Sequence, residues 1–271
     1  MSGARASTQS WPHCDLPPSL QAEVDGEIAL LALARPAKRN ALSMEMVLGI
    51  ERFFDSLPGS VKAVVLHGLG EHFSAGLDLS EAHEMDATEG VVHSRRWHRA
   101  FSKIEFGTVP VVCVMHGAVV GGGLEIAAST HIRVAEESAY YAFPEGIRGI
   151  FVGGGGSVRV SRLIGASRMQ EMMLTGRTYG AQDGQAFSLS HYVVPKGDGL
   201  AKGKELARRV AQNAPMSNFA VIQALPRIAD ADPQTGLLLE ALISSVAAND
   251  DEAKRRLRDF LEKRAAKVSH G

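Results

Sequence analysis

The sequence predicts an α/β fold with parallel strands, followed by a helical C-terminal unit, and three observations carry that expectation. Apolar runs at residues 63–68 and 111–117 read as strands buried on both faces. Each run leads into a glycine-bearing turn, and a helical stretch at 94–106 separates them. From Leu200 onward nearly everything reads as helix, with Pro215 and Pro226 as the main interruptions.

Taken in order, residues 1–20 are rich in Ser and Pro and read as a flexible N-terminal arm. They lack the apolar stretch of a secretory signal, and Arg5 alone is too little for a transit peptide. Residues 21–199 form the expected core, and 200–271 the helical unit. Asp25-Gly26 is a hairpin turn before the buried apolar run that follows it. Ser43 is an N-cap for a helix whose Met46, Val47, Ile50, Phe53 and Phe54 share one face, and Pro58-Gly59 ends it. The polar segment 80–95, with Glu81, His83, Glu84, Asp86 and Glu89, reads as a mobile loop. Short helices are expected at 157–164, 167–174 and 182–189, and amphipathic ones at 235–247 and 250–267. The apolar face of that last pair either covers its own core or meets a neighbouring subunit. Gly153-Gly154-Gly155-Gly156 implies a close approach of the backbone to another segment or to a ligand.

Composition removes several classes of function. At 271 residues, 45% hydrophobic and 22% charged, the chain is an ordinary globular protein. A formal net charge of −1 gives no global field for nucleic acid or an anionic membrane. The apolar stretch 109–128 is interrupted by His116, Glu125 and several glycines, which rules it out as a membrane span. Two cysteines, Cys14 and a Cys113 set among apolar neighbours, read as free thiols in a cytoplasmic setting.

Chemistry concentrates in three places. Glu125 follows Gly121-Gly122-Gly123-Leu124, and Glu145, twenty residues on, sits in Phe143-Pro144-Glu145-Gly146. A glutamate among apolar residues is a candidate for a raised pKa and general acid–base work. The bland alternative is an ion pair of each with Arg133 or Arg148. Upstream lies Phe73-Ser74-Ala75-Gly76-Leu77-Asp78-Leu79. The backbone N–H groups of Leu77 and Gly122, each in a glycine turn, could stabilise an oxyanion, although glycine turns also simply end strands.

Other motifs fail. His72-Phe73-Ser74-Ala75-Gly76 lacks the first glycine of a nucleophile elbow, so Ser74 is not assigned as a nucleophile. Ile126 stands where a dinucleotide fingerprint needs glycine, and no phosphate-loop lysine motif occurs. The histidines lack zinc-ligand spacing and read as surface or core residues, so no metal is expected. Lys254, Arg255, Arg256, Arg258, Lys263 and Arg264 form either a solvated helix face or a phosphate-binding one.

From residue 22 to about 267 these motifs resemble the crotonase, or enoyl-CoA hydratase/isomerase, superfamily. The resemblance implies a spiral of ββα units with a helical C-terminal oligomerisation unit that builds trimers, usually paired into hexamers. Residues 35–42 resemble the family's CoA-binding loop, which implies substrate contacts at Ala37, Lys38 and Ala41, joined by Ala75, Asp78 and Leu79. Glu125 and Glu145 match the two carboxylates of true hydratases, and Leu77 and Gly122 the oxyanion donors. The implied reaction is syn addition of water to a short 2-enoyl-CoA: Glu125 is the base at C3 and Glu145 supplies the proton at C2. Coenzyme A is then part of the substrate, and no cofactor is implied.

Phe260 and Lys263 match positions where a neighbour's terminal helix meets the CoA nucleotide. Ser80 stands where many hydratases have lysine, and Val152 where the family often has proline. Residues 94–98 and 140–153 resemble the bacterial branch acting on 3-(methylthio)acryloyl-CoA, some of which also release the acyl group. Trp97, Tyr141 and Phe151 would then form an aromatic wall around the acyl chain, the alternative being core packing. Rival readings are a Δ3,Δ2-enoyl-CoA isomerase, which needs one carboxylate, and an RNA-binding crotonase-like protein using the basic C-terminal helix.

Overall fold

The fold begins with the hairpin expected at Asp25-Gly26. In the computed structural model, which describes residues 11–81 and 85–262, β1 (Leu20–Asp25) pairs antiparallel with β2 (Ile28–Leu33). Gly26 turns the corner at φ +66°, a conformation that favours glycine. The helix α1 (Met44–Asp55) follows, with the Ser43 hydroxyl accepting the Met46 N–H. It buries Met46, Val47, Ile50, Phe53 and Phe54, as the periodicity requires.

The chain then repeats one pattern. β3 (Ala63–Gly68) is followed by the segment Ser74–Leu77 and α2 (Ala87–Glu105). β4 (Val111–Met115) is followed by β5 (Ala118–Val120) and α3 (Gly122–Ala128). β6 (Ile132–Glu136) is followed by β7 (Tyr140–Ala142), then α4 (Gly156–Ile164) and α5 (Ala166–Thr175). Each repeat gives one strand to a large sheet and one short stretch to a second layer. The second layer continues with β8 (Tyr179–Gly180), and after α6 (Ala181–Ala186) the chain returns to the large sheet as β9 (Tyr192–Val194). Strand order in the six-stranded sheet is β1-β2-β3-β4-β6-β9, all parallel after the first pair. The second layer is the three-stranded sheet β5-β7-β8, extended by isolated bridges Ser74–Val119 and Leu42–Leu77.

Alternation with period two splits the large sheet between two cores. Leu31, Leu33, Val64, Leu66, Val111 and Cys113 face α1 and α2, while Leu30, Val65, Val112, Val114 and Val134 face the other way. That second face is covered by α7 (Gly199–Ala211) through Leu206, Ala207 and Ala211. Its Gly203 permits contact, since a Cβ there would lie 2.4 Å from Val114 Cγ2. The rest of the helical unit is α8 (Pro215–Gln223), α9 (Leu225–Asp230), α10 (Pro233–Asn249) and α11 (Asp251–Leu261), with Pro215, Pro226 and Pro233 in first turns.

Three details differ from the sequence expectation. Helix α2 starts at Ala87, not residue 94, because Asp86 and Glu89 form a reciprocal capping box that turns most of the supposed loop into helix. Helix α6 stops at Ala186 rather than 189, where Ser188 takes a left-handed φ of +69°. The described part of the N-terminal arm is not loose. Trp11 is buried against Phe53, ring centroids 4.7 Å apart, and its indole N–H donates to Ser56 Oγ.

Phe53→Ala is expected to lower unfolding stability by about 3–5 kcal/mol and Asp86→Ala by about 1 kcal/mol, read from urea unfolding midpoints.

Candidate active site

The three repeats deliver their turns to one place. In the first, Gly76 takes φ +87°, and a Cβ there would lie 3.0 Å from the Gly122 nitrogen of the second. A Cβ on Gly122 would in turn lie 3.5 Å from the Leu77 nitrogen. The two N–H groups are therefore neighbours, and neither has an acceptor among the described residues. The turns are stitched together: Ser74 N–H donates to Ala118 O and Val120 N–H to Ser74 O. The Ser74 hydroxyl donates to Asn40 O and accepts from Gly76 N–H, which removes it as a nucleophile.

Glu125 stands in the first turn of α3 and is 3% exposed. Its Oε1 accepts the N–H groups of Gly154 (2.9 Å) and Gly156 (2.8 Å), and this is what the tetraglycine is for. A Cβ on Gly154 would fall 2.7 Å from Glu125 Oε2, and one on Gly156 2.9 Å from its Cγ. Arg159 braces this loop, donating to Gly154 O and pairing with Glu105 at 2.6 Å. Neither ion pair offered as the bland alternative forms. Arg133 instead donates to the backbone carbonyls of Thr130, Ser188 and Leu189.

Glu145 follows β7 and approaches from the other side. A Cβ on Gly121 would lie 2.6 Å from its Oε1, and its Oε2 is buried with no hydrogen-bond partner among the described residues. Burial pushes its carboxyl up to about 7, and the charge of Glu125 adds to that push. Burial also raises Glu125, while the two glycine N–H groups and Arg159 oppose the rise. Burial thus favours the protonated form of both carboxyls, and only Glu125 has backbone N–H donors that oppose it.

The loop at Pro36–Lys38 lies against the first turn. Ala75 N–H donates to Arg39 O, and Ala41 O accepts from Arg35. Ala37 is exposed there, Ala41 is buried and Leu79 is 50% exposed. Asp78 is consumed within this cluster: Arg35 pairs with it at 2.7 Å, Lys38 at 3.4 Å, and Ser80 donates from N–H and hydroxyl. The Ser80 hydroxyl first, then Arg35 against the cost of burial, holds this carboxyl well below the usual range. Ser80 also accepts from Lys38 Nζ, so the serine in the family's lysine position anchors another lysine.

The aromatic wall divides. Trp97 belongs to the site: it is 3% exposed, and a Cβ on Gly122 or Gly154 would meet its ring at 2.7 or 3.0 Å. Tyr141 does not, because it is fully buried with its ring against Gly184 of α6, where a Cβ would meet it at 2.2 Å. Phe151 is 69% exposed. Phe260 is 63% exposed on α11, and Lys263 lies outside the described residues. No cluster able to hold a metal occurs among the described residues, and no described helix is long and apolar enough to cross a membrane.

The family model described as enoyl-CoA hydratase/isomerase matches residues 23–270. A solved structure from Rhodopseudomonas palustris, a candidate enoyl-CoA hydratase, is 56% identical with a TM-score of 0.90, covering 93% of this chain and 98% of that one. The short-chain-enoyl-CoA hydratase of Clostridium acetobutylicum is 31% identical, over 89% of this chain and 94% of its own. The 2,3-dehydroadipyl-CoA hydratase of Escherichia coli is also 31% identical, over 88% and 93%.

The raised Glu145 carboxyl makes the folded state bind more protons than the unfolded chain between the ordinary carboxylate value and about 7. Stability is then expected to fall as pH rises through that window. Glu145→Gln should make the slope shallower, the raised Glu125 still contributing to it, and raise stability at pH 8 by roughly 2–3 kcal/mol, checked by urea unfolding at pH 5 and pH 8.

Proposed function

The chain belongs to the enoyl-CoA hydratase/isomerase family, and from that premise we propose that it hydrates short 2-enoyl-CoA thioesters. The observation that carries this reading is the placing of two buried carboxyls, one held by glycine N–H groups and one with an oxygen unpartnered among the described residues, beside the paired N–H groups of Leu77 and Gly122. The thioester oxygen accepts from those two N–H groups, which polarise the double bond and hold the enolate as charge develops. Glu125 has Oε1 bound to glycine N–H groups, which leaves Oε2 to take a proton from water attacking C3. Glu145 gives its proton to C2.

An isomerase reading is less well supported, since two carboxyls are buried where one would serve. Trp97, packed on both glycine turns, supports a short acyl chain, because it fills the space beside the carboxylates. A 3-(methylthio)acryloyl group is the finer proposal, since a thioether packs well on an indole ring. The exposed Lys38 beside Leu79 supports a nucleotide contact there. On an RNA-binding reading the basic helix would be free. Instead Arg255 and Arg256 both pair with Glu252.

The helical unit supports assembly into trimers or paired trimers. Leu237, Leu238, Leu242 and Val246 on α10 and Leu257, Phe260 and Leu261 on α11 are each more than half exposed. In that assembly Phe260 and Lys263 would approach a neighbour's CoA. Both cysteines are unpaired, which agrees with a reducing cytoplasmic setting.

Purified protein is expected to consume crotonyl-CoA and 3-(methylthio)acryloyl-CoA, followed by loss of enoyl-thioester absorbance with a thiol reagent reporting free CoA. Glu125→Gln and Glu145→Gln should each lower kcat by about 10²–10⁴. Full turnover by either variant would overturn the two-carboxylate mechanism. Separately, Leu238→Asp with Leu242→Asp should convert an oligomer to monomer in sedimentation. A wild-type monomer would reject the assembly.

A further inference from the structure

One histidine with no role assigned so far sits at the join of the two oxyanion turns. His72 Nδ1 accepts the backbone N–H of Ala118 at 3.1 Å. His72 lies two residues before the bridged segment Ser74–Leu77, and Ala118 opens β5, which leads into the Gly121–Gly122 turn. The same join holds Phe73 N–H on His116 O at 2.8 Å and Ser74 N–H on Ala118 O at 2.9 Å. His72 O is fixed in turn by the Asn40 side-chain amide at 2.7 Å, and Asn40 is fully buried.

The contact is built into the backbone. Gly117 takes φ +52°, and a Cβ there would lie 2.5 Å from His72 Nδ1 and 2.2 Å from Glu71 O. Only glycine at 117 lets the imidazole reach the Ala118 N–H. An Nδ1 that accepts from an N–H carries no proton, so the ring is neutral with its hydrogen on Nε2. An imidazolium would set two N–H groups face to face.

We propose that His72 is a positioning residue: its neutral imidazole locks the Gly122 turn to the Leu77 turn and so sets the spacing of the two oxyanion donors. This rests on the assignment of those donors above. The charged neighbours favour the neutral ring. Burial lowers its pKa first, Arg39 and His116 lower it further, and Glu71, itself paired with Lys196 at 3.1 Å, opposes them. The bond is therefore favoured at neutral pH and is lost as pH falls through a midpoint lowered from the ordinary histidine value.

The test is an amide and imidazole nitrogen titration by NMR on the intact, perdeuterated assembly, with histidine, alanine, leucine and glycine labelled, run beside kinetics. Expected are an Nε2–H tautomer for His72 and Ala118, Leu77 and Gly122 amides that shift together at its midpoint. His72→Asn, whose Oδ1 can accept the same N–H, should abolish the midpoint and keep kcat within about 3-fold at pH 8. His72→Leu should lower kcat about 10- to 100-fold, with KM within about 2-fold, because misplaced donors fail mainly in the transition state.

Leu77 and Gly122 amides indifferent to the His72 titration would overturn the proposal, as would full kcat in His72→Leu. Should the leucine variant not fold, the wild-type titration and the asparagine variant still decide. If wild type turns over no enoyl-CoA yet the amides move together, the positioning role stands and the hydratase reading fails.

Discussion

The two hydrogen bonds from Gly154 and Gly156 to one oxygen of Glu125 are the interaction on which the rest of the site depends. A carboxylate at 3% exposure loses most of its hydration, a penalty of several kcal/mol for an ion in real proteins. Bonds to a charged acceptor return about 1.5–3 kcal/mol each. Both donors come from the entry to α4, and both need bare glycine, since a side chain at 154 or 156 would occupy the carboxylate's own space. Arg159, one turn into the same helix, ties that loop to Glu105 at the end of α2. Three helices are thereby fixed relative to one carboxylate.

That constraint explains how labour is divided between the two layers. The inner strands β2, β3 and β4 of the large sheet are buried on both faces, so the sheet acts as a frame. The small layer carries the working groups at its strand ends, one per repeat: the Leu77 turn, the Gly122 turn with Glu125, and Glu145. Because adjacent repeats share backbone hydrogen bonds, a shift in one turn is passed directly to the next.

Local signals were the ones readable in the sequence. Asp25-Gly26 and Ser43 act within four residues of themselves, and both formed as the chain implied. The two glutamates and the two glycine turns also stand out, because glycine clusters and lone charges among apolar neighbours are visible in the chain itself, and the structure sets Glu145 beside the Gly121–Gly122 turn. What escaped needed distance or context. The tetraglycine announced a close approach but not its partner, which lies 29 and 31 residues away. Asp86 and Glu89 looked like loop because both are acidic, yet their spacing is a helix start. Tyr141 lies beside the Glu145 motif in sequence, but strand alternation turns its ring toward α6 and into the core. His72 carried no signal, since its role depends on a neighbour 46 residues on.

The Glu145 carboxyl, set near 7, has one more consequence. At neutral pH such a group spends comparable time with and without its proton, so it is as ready to receive one as to give one. On the proposed chemistry one group then serves both directions of the reaction without a change of pH. The same pocket would also carry a hydroxyacyl thioester back to the enoyl form, and net flux would follow how far the two thioesters stand from their equilibrium ratio.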